Sequence, residues 1–363
     1  SHFRMDITIM NSLLSNNKSA VFRYCVVVIA LLLPLVSQAA ALKTKHAFET
    51  HKNITWAEPD NMPLTLDIYV PKTGKKNYPV LVIYHGGGWL INNNSIMNTM
   101  SEYIAGNSEY VVVNTNYRLL GDNNNSVHIN QIVEDAMGSL LWVKEHIANY
   151  KGDPARVAIT GDSAGGQLSA MVLLNSRKLE SDGFAGKTLG FKPTYLPKGK
   201  TAEKIAKRDG LRVQAAVISY AAFDLYKAAQ NGFETSSNIF WKLGNATPRG
   251  LFGDGISVDK NPEFYKAVSP MYNIPTRAQY QLPPQFVHVG STDATTPPAS
   301  SQQYVDALKA AGQPVEFKIY EWRKHAFLDN GCNEFLKVCF DRDAPEPLND
   351  IIHFLDAIFW PAR

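Results

Sequence analysis

Residues 161–165 read G-D-S-A-G, and this short sequence constrains the fold of the chain more than any other feature. It follows a β-rich run at residues 156–160 and precedes a helix-forming run from residue 166 to about 175. Ser163 in such a turn adopts a strained backbone, and glycines are needed beside it because larger side chains would collide with the neighbouring strand and helix. The turn exposes the hydroxyl above the amino end of the helix, where backbone N–H groups favour negative charge. G-x-S-x-G also occurs by chance in about one chain in eight of this length, so its meaning depends on the rest of the sequence.

β-rich runs alternate with helix-period runs along residues 42–363, a pattern typical of α/β domains with a mostly parallel sheet. Residues 80–84 and 111–115 are continuous apolar runs, as in strands buried on both faces, whereas residues 64–70 alternate like a half-exposed strand. Apolar positions recur at helical spacing from Ile129, which predicts an amphipathic helix that ends before residue 152. Further strands are predicted at residues 157–160, 213–219, 286–289 and 315–320, and a last helix from about Leu348. The sequence therefore predicts one α/β domain with helices on both faces of its sheet.

Two long insertions interrupt this alternation. Residues 177–212 are rich in Gly and Lys, and residues 225–282 are rich in Gly, Asn, Pro and aromatic residues. Connections of this length in a compact domain are usually functional, so both are interpreted as material for a lid or a substrate pocket. Disordered decoration of the domain is the alternative, and it suits the aromatic-rich second insertion less well.

The first 41 residues have the pattern of a secretory signal peptide. Lys18 and Arg23 precede an apolar run at residues 25–36, which ends near three small residues at 39–41. The alternative, a retained membrane anchor, conflicts with the length of the run, because a bilayer requires about 20 apolar residues. The sequence therefore predicts a secreted or periplasmic protein that does not associate with a membrane after the signal is cleaved.

Export determines how the cysteines are interpreted. Cys25 would leave with the signal, so the mature chain keeps only Cys332 and Cys339, for which a disulfide is the expected state in an oxidising compartment. A metal site would need further ligands close by, and a reactive thiol would need an activating neighbour. Neither alternative has support in the sequence.

A second glycine-rich motif, H-G-G-G-W, occupies residues 85–89 directly after the buried run at 80–84. Without Cβ atoms these glycines let backbone N–H groups converge on a substrate oxygen that becomes negatively charged, an arrangement known as an oxyanion hole. A flexible glycine turn is the alternative interpretation. Trp89 beside the motif is interpreted either as a wall of the substrate pocket or as a core residue.

A serine nucleophile needs a histidine base and an acid, which in this kind of domain follow the serine in the order acid, histidine. Of the later histidines, His288 falls inside a predicted strand and His353 inside the last helix, whereas His325 follows the strand at 315–320. Catalytic side chains cluster in loops at the carboxyl ends of such strands, so His325 is the predicted base.

The acid is expected one loop earlier than the histidine. Asp293 follows the predicted strand at 286–289 and is preferred over its rival Asp224, which follows the strand at 213–219. Asp162 is next to the serine, but its side chain must point away along the turn, so a structural role is predicted. The sequence thus predicts a triad of Ser163, His325 and Asp293.

The motifs together resemble the hormone-sensitive-lipase-type carboxylesterases, over about residues 80–327. The resemblance is carried by H-G-G-G-W at 85–89, N-Y-R-L at 116–119, G-D-P at 152–154 with Arg156 and Val157, G-D-S-A-G-G at 161–166, Asp293 with P-P at 297–298, and H-A-F at 325–327. It implies an α/β-hydrolase fold with an eight-stranded sheet, an oxyanion hole formed by Gly87, Gly88 and Ala164, and hydrolysis of short- to medium-chain esters without metal or organic cofactor. Residues 42–84 leave little room for the helical cap of many relatives, and N-Y-R-L-L-G replaces their D-Y-R-L-A-P, as in esterases that act on aryl esters or decorated polysaccharides.

The predicted function is that of a serine carboxylesterase acting on a small-molecule ester, either a short- to medium-chain ester or an aryl ester. An exported amidase or peptidase and a polysaccharide-decorating acetyl or feruloyl esterase are the alternatives, and an inactive ligand-binding receptor would have lost part of the triad. The chain lacks the clustered ligands of a metal hydrolase such as H-E-x-x-H. Its formal net charge of +3 gives no reason to expect nucleic acid as a partner. The oligomeric state is left open.

Overall fold

An eight-stranded sheet forms the centre of the domain in a computed structural model that describes residues 42–362. The predicted signal segment, with Cys25, lies outside the described residues. The strand order is β1-β2-β4-β3-β5-β6-β7-β8, in which β1 and β2 run antiparallel to their neighbours and β3 to β8 are parallel. The strands are β1 (Phe48–Ala57), β2 (Leu64–Pro71), β3 (Tyr78–Tyr84), β4 (Val111–Thr115), β5 (Gly152–Asp162), β6 (Ala215–Ser219), β7 (Gln285–Gly290) and β8 (Val315–Tyr320).

Helices cover both faces of this sheet. Val287 of β7 belongs to the same core as the buried side chains of the helices Ile129–His146 and Ala164–Leu174, whereas its neighbour Phe286 packs its ring 5.6 Å from that of Phe354 on the helix Pro345–Phe359. Successive side chains of a strand point to opposite faces, so the two helix layers lie on opposite sides. The helices are α1 (Asn98–Asn107), α2 (Asp122–Asn125), α3 (Ile129–His146), α4 (Ala164–Leu174), α5 (Ala202–Lys207), α6 (Leu225–Gln230), α7 (Ile239–Leu243), α8 (Pro262–Ala267), α9 (Pro298–Ala310), α10 (Phe340–Asp343) and α11 (Pro345–Phe359). The predicted α/β architecture with a mostly parallel sheet is confirmed.

The prediction of a half-exposed strand at residues 64–70 is wrong. In β2 every residue except Thr65 is buried. The polar residue that suggested exposure, Asp67, accepts a hydrogen bond from the backbone amide of Asn53 at 2.8 Å and lies 3.4 Å from the ammonium of Lys52. A polar side chain that is hydrogen-bonded can be buried at little cost. The polar and apolar residues of β2 therefore alternate as in a half-exposed strand, although Asp67 is buried.

The two insertions take different positions. Residues 177–212 contain α5 and pack against α3, where the amide of Lys192 donates to Glu134 and the Thr194 hydroxyl donates to Asp135. Residues 225–282 contain α6, α7 and α8 and lie over the carboxyl ends of the strands, since Phe233 and Phe240 line the cavity described below.

A short hairpin follows the loop that carries His325. It pairs β9 (Cys332–Asn333) with β10 (Val338–Cys339), and a disulfide joins Cys332 to Cys339, the pair predicted from the sequence. Within residues 42–362, no helix is both long and apolar enough to cross a membrane.

Candidate active site

Ser163 lies in a strained turn between β5 and α4. Its backbone has φ 54° and ψ −118°, a conformation that costs about 1–3 kcal/mol for a residue other than glycine. Three backbone hydrogen bonds hold it: its amide donates to the carbonyl of Ser219 at 2.9 Å, and its own carbonyl accepts from the amides of Gln167 at 3.1 Å and Ala222 at 3.4 Å. The turn has the geometry predicted for a nucleophile.

His325 connects the serine to an acid. Its Nε2 is 2.9 Å from Ser163 Oγ, and its Nδ1 is 2.8 Å from Asp293 Oδ2. The imidazole and the carboxylate are both buried. The structure thus brings together the three side chains that the sequence singled out, in the order serine, histidine, acid.

The carboxylate of Asp293 is fixed in its loop after β7. Its Oδ1 accepts from the backbone amides of Thr295 and Thr296, both at 2.9 Å, which leaves Oδ2 for the histidine. The rival acid Asp224 lies elsewhere, where it caps α6 through the amide of Lys227 and accepts from the hydroxyl of Tyr272.

Thr296 is a part of the site that was not predicted from the sequence. Its hydroxyl lies 2.7 Å from the carbonyl of Tyr220, 3.1 Å from His325 Nδ1 and 3.2 Å from Asp293 Oδ2. It therefore braces the contact between acid and histidine. No motif marks it, because nothing in the sequence distinguishes Thr296 from the adjacent Thr295.

The other two candidate histidines do not reach the serine. His288 is buried in β7, with Nε2 2.7 Å from the hydroxyl of Ser219, and His353 is exposed on α11. Across residues 42–362, no group of three or more His, Cys, Asp or Glu side chains is placed to hold a metal ion.

A cavity of about 310 Å³ opens onto Ser163. Gly88 and Ala164 line it on one side, and residues of the second insertion line the other, whereas no residue of 177–212 contributes to its lining. The lining residues are Gly88, Trp89, Ser163, Ala164, Ala222, Ala228, Asn231, Gly232, Phe233, Ser237, Asn238, Phe240, Thr295 and Thr296. The second insertion therefore forms a wall of this cavity, and the first does not.

The glycine motif has the backbone that an oxyanion hole requires. Gly87 and Gly88 have φ values of 125° and 59°, which side chains disfavour, and a Cβ on Gly88 would lie 2.9 Å from the ring of Phe240. Ala164 is the first residue of α4, so its amide has no acceptor within the helix, and the residue lines the cavity beside Ser163. Gly88 and Ala164 are on the cavity wall, whereas Gly87 is not among the lining residues and packs against Ile91.

Trp89 lies between the core and the cavity. Its indole N–H donates to Gln167 Oε1 at 3.0 Å and its side chain is buried, as for a core residue. The ring also lines the cavity and meets Phe233 edge to face at 5.5 Å. Trp89 therefore links the helix that begins after the serine to the aromatic wall of the pocket.

His85, the first residue of the glycine motif, is structural. Burial lowers the pKa of its imidazole to about 4, so it is neutral at physiological pH. The ring stacks on Tyr117 at 4.3 Å, and Nδ1 contacts the carbonyl of Gly86 at 2.7 Å. These contacts anchor the start of the loop that carries Gly87 and Gly88.

The sheet order, the strained serine after β5 and the acid and histidine after β7 and β8 define an α/β-hydrolase fold. Solved structures agree: the apo form of Thermogutta terrifontis esterase 2 matches with a TM-score of 0.60 and 23% identity, over 87% of this chain and 96% of that chain. Its propionate-bound form matches with a TM-score of 0.59 and 23% identity, over 84% of this chain and 93% of that chain.

The chain belongs to the BD-FAE family, whose family model matches residues 66–308. The predicted resemblance to hormone-sensitive-lipase-type carboxylesterases is confirmed at this level. Among curated relatives, "Carboxylesterase NlhH" of Mycobacterium tuberculosis is 36% identical over 105 residues, 29% of this chain and 32% of that protein. "Probable carboxylic ester hydrolase LipM" of the same organism is 29% identical over 255 residues, 69% of this chain and 49% of that protein. The chain thus spans about a third to a half of the length of these relatives.

Proposed function

We propose that this protein is a serine carboxylesterase in which Ser163 is the nucleophile, His325 the general base and Asp293 the acid that orients the histidine. The observation that carries the proposal is the continuous row of hydrogen bonds from Asp293 through His325 to Ser163, which ends at a cavity. The names of the relatives and of the solved structures, which are carboxylesterases and esterases, support ester hydrolysis.

In the first half of the reaction, His325 Nε2 accepts the proton of Ser163 Oγ as Oγ bonds to the ester carbonyl carbon. The carbonyl π electrons move to oxygen, and the resulting oxyanion accepts hydrogen bonds from the amides of Gly88 and Ala164, with Gly87 shaping the loop. The C–O bond to the alcohol then breaks, and the imidazolium returns its proton to the leaving alkoxide. The product is an alcohol and an acyl-serine.

Water completes the cycle by the same route. His325 takes a proton from water as its oxygen attacks the acyl carbon, and the histidine then returns that proton to Ser163 as the acid product leaves. Asp293 keeps the proton of the neutral imidazole on Nδ1 and stabilises the cation that forms. Of these groups, Ser163, Gly88 and Ala164 line the cavity, and His325 and Asp293 reach it through their hydrogen bonds to Ser163 and to each other.

The cavity favours compact acyl groups. A volume of about 310 Å³ is at the small end for ligand pockets, and aromatic rings of Trp89, Phe233 and Phe240 bound it. We propose short- to medium-chain or aryl esters as substrates. Three polar side chains of the lining, Asn231, Ser237 and Asn238, favour a second candidate, the removal of acetyl or feruloyl groups from a hydroxyl-rich polysaccharide.

Replacement of Ser163 tests the proposal. We expect Ser163→Ala to fold normally and to lose at least about 10⁴-fold in kcat on p-nitrophenyl acetate, because the covalent route is lost while the oxyanion contacts stay. Ser300→Ala, a serine outside the cavity, is the matched control and should keep its rate. Hydrolysis by Ser163→Ala at the wild-type rate would contradict the proposal.

The substrate class is tested with the wild-type protein on p-nitrophenyl esters from acetate to palmitate, together with feruloyl and acetyl-sugar esters. We expect kcat/KM to fall for acyl chains too long for the cavity. A preference for palmitate would contradict the proposed acyl range, and a preference for the sugar esters would favour the second candidate.

A further inference from the structure

Two carboxyl groups meet beneath the turn that carries the serine. Asp162 directly precedes Ser163, and Asp329 lies four residues after His325. Their side chains are in hydrogen-bonding contact. Asp162 is 1% exposed, and although Asp329 is half-buried as a residue, its Oδ1 is inaccessible to solvent. The pair therefore joins the loop of the histidine to the turn of the serine.

The hydrogen bonds around the pair are incomplete if both groups are ionised. Asp162 Oδ2 accepts from the hydroxyl of Tyr220 at 3.0 Å, but Oδ1 of Asp162 and Oδ1 of Asp329 have no donor among the described residues. Two carboxylates can only accept, so in contact they would repel each other and leave both oxygens unpaired. A single proton between them supplies a donor and removes one buried charge.

The charged and titratable groups that face the pair are Tyr117, Tyr220 and His325. Burial raises the pKa values of both tyrosines above their usual range, so they remain neutral. Burial also raises the pKa of Asp329 well above its usual range, reinforced by Asp162, and raises that of Asp162. The imidazolium of His325, when it forms, favours the ionised state of Asp162. These surroundings stabilise one negative charge, on Asp162, and offer no partner for a second negative charge on Asp329.

We propose that Asp162 and Asp329 share one proton in the folded protein, and that this shared proton fastens the loop of His325 to the turn of Ser163. The two aspartates are positioning residues, since neither touches a reacting atom. Their role in turnover rests on the proposed esterase function, whereas the shared proton does not.

The contacts of Tyr220 show how the pair would position the histidine. The Tyr220 hydroxyl donates to Asp162 and accepts from the amide of Leu328 at 3.2 Å. Its ring packs edge to face against the imidazole of His325, with centroids 5.0 Å apart. Asp162 is also packed against the oxyanion loop, because a Cβ on Gly86 would lie 2.8 Å from its carbonyl. Separation of the two aspartates would therefore disturb all three loops of the site.

The pH dependence of stability tests the shared proton. Above about pH 5 both aspartates are ionised in the unfolded chain, so the folded protein holds one proton more than the unfolded protein. A group whose pKa is raised by folding stabilises the folded protein less as the pH rises. Relative to Asp329→Asn, whose amide donates to Asp162 at any pH, the wild-type unfolding equilibrium constant should rise about tenfold per pH unit until the pair loses its proton.

Denaturant titrations from pH 5 to 8 give this slope, and infrared spectra give a second signal, the carbonyl stretch of a protonated carboxyl group that Asp329→Asn should lack. Asp306→Asn, an exposed aspartate on α9, is the control and should follow the wild-type slope. Parallel slopes for wild type and Asp329→Asn, with no protonated carboxyl in the spectrum, would overturn the shared proton.

The positioning role is tested by the pH profile of kcat on p-nitrophenyl acetate. Wild type should lose kcat at alkaline pH as the pair ionises, with KM little changed, and Asp329→Asn should shift that loss upward by at least one pH unit. Identical alkaline limbs would overturn the positioning role. An absence of turnover in wild type, with the stability slopes as expected, would instead contradict the proposed function and leave the shared proton standing.

Discussion

Asp293 has no freedom to change its side-chain orientation, because two backbone amides hold Oδ1 and the histidine holds Oδ2. In Asp293→Asn the same amides would keep the side-chain oxygen and turn the NH₂ group toward His325 Nδ1. That NH₂ group would donate to Nδ1 and place the imidazole proton on Nε2. The protonated Nε2 could not accept the proton of Ser163. We expect kcat to fall about 10⁴-fold with the fold unchanged.

Asp224→Asn is the matched control for that variant. The side-chain oxygen of asparagine can still cap α6 at the amide of Lys227, so ester hydrolysis should stay near the wild-type rate in the same steady-state assay. A larger loss in Asp224→Asn than in Asp293→Asn would move the acid of the triad to Asp224.

At the scale of single residues, the sequence predicted side chains that occupy a distinctive position in a motif or after a strand. Ser163, His325 and Asp293 were predicted in this way, and the structure joins their side chains by hydrogen bonds. Thr296, Gln167 and Asp329 were not found, because each acts through contacts between segments far apart in the sequence. Asp329 carries no local signal of its partner, since Asp162 is more than 160 positions earlier.

At the scale of elements, the helix that shapes the pocket is α7 of the second insertion. The ring of Phe240 on α7 is packed directly over Gly88, on the wall of the cavity. Phe240→Ala should enlarge the cavity toward longer acyl chains, and we expect the ratio of kcat/KM for p-nitrophenyl octanoate over acetate to rise about tenfold. The measurement is the same ester series used for the wild type.

Leu243→Ala on the same helix is the control, because Leu243 is 59% exposed and is not among the cavity residues. Its acyl-chain profile should match that of the wild type. An unchanged profile in Phe240→Ala would show that the acyl group lies elsewhere in the pocket.

The short helices of the second insertion were predicted only as an irregular segment. α6, α7 and α8 are five or six residues long, too short for a helical period to show in the sequence. They are held by capping side chains such as Asp224 and Asn238 and by burial of Trp241, not by intrinsic propensity. The longer elements α3 and β3 were predicted well because their periodicity extends over a whole element.

At the scale of the whole molecule, the disulfide Cys332–Cys339 closes a hairpin next to the histidine loop. Asn330 lies between His325 and this hairpin. Its amide donates to the carbonyl of Ile96, just before α1, and its side-chain oxygen accepts from the amide of Thr99 in α1. Replacement of both cysteines by serine should lower the free energy of unfolding by about 2–3 kcal/mol on the chain-entropy account.

Denaturant titration measures this loss, and mass spectrometry of unreduced, alkylated protein verifies the bond. Two alkylated thiols in freshly prepared protein, or a variant as stable as the wild type, would contradict a stabilising disulfide. Such bonds persist in oxidising compartments. An intact bond in this measurement would therefore favour the predicted secreted or periplasmic location.

Every residue of α4, from Ala164 to Leu174, is buried, and the helix packs between α3 and strands β5 and β6. A helix enclosed on all sides cannot adjust to each substrate, so the amide of Ala164 has its final orientation before any ester arrives. Negative charge on a bound carbonyl oxygen would then be stabilised by backbone N–H groups that need no rearrangement, which is the condition for electrostatic preorganisation. The rest of the cavity wall comes from short, partly exposed helices of the second insertion, so under the proposed function the groups for chemistry and those that bound the acyl chain lie on separate elements.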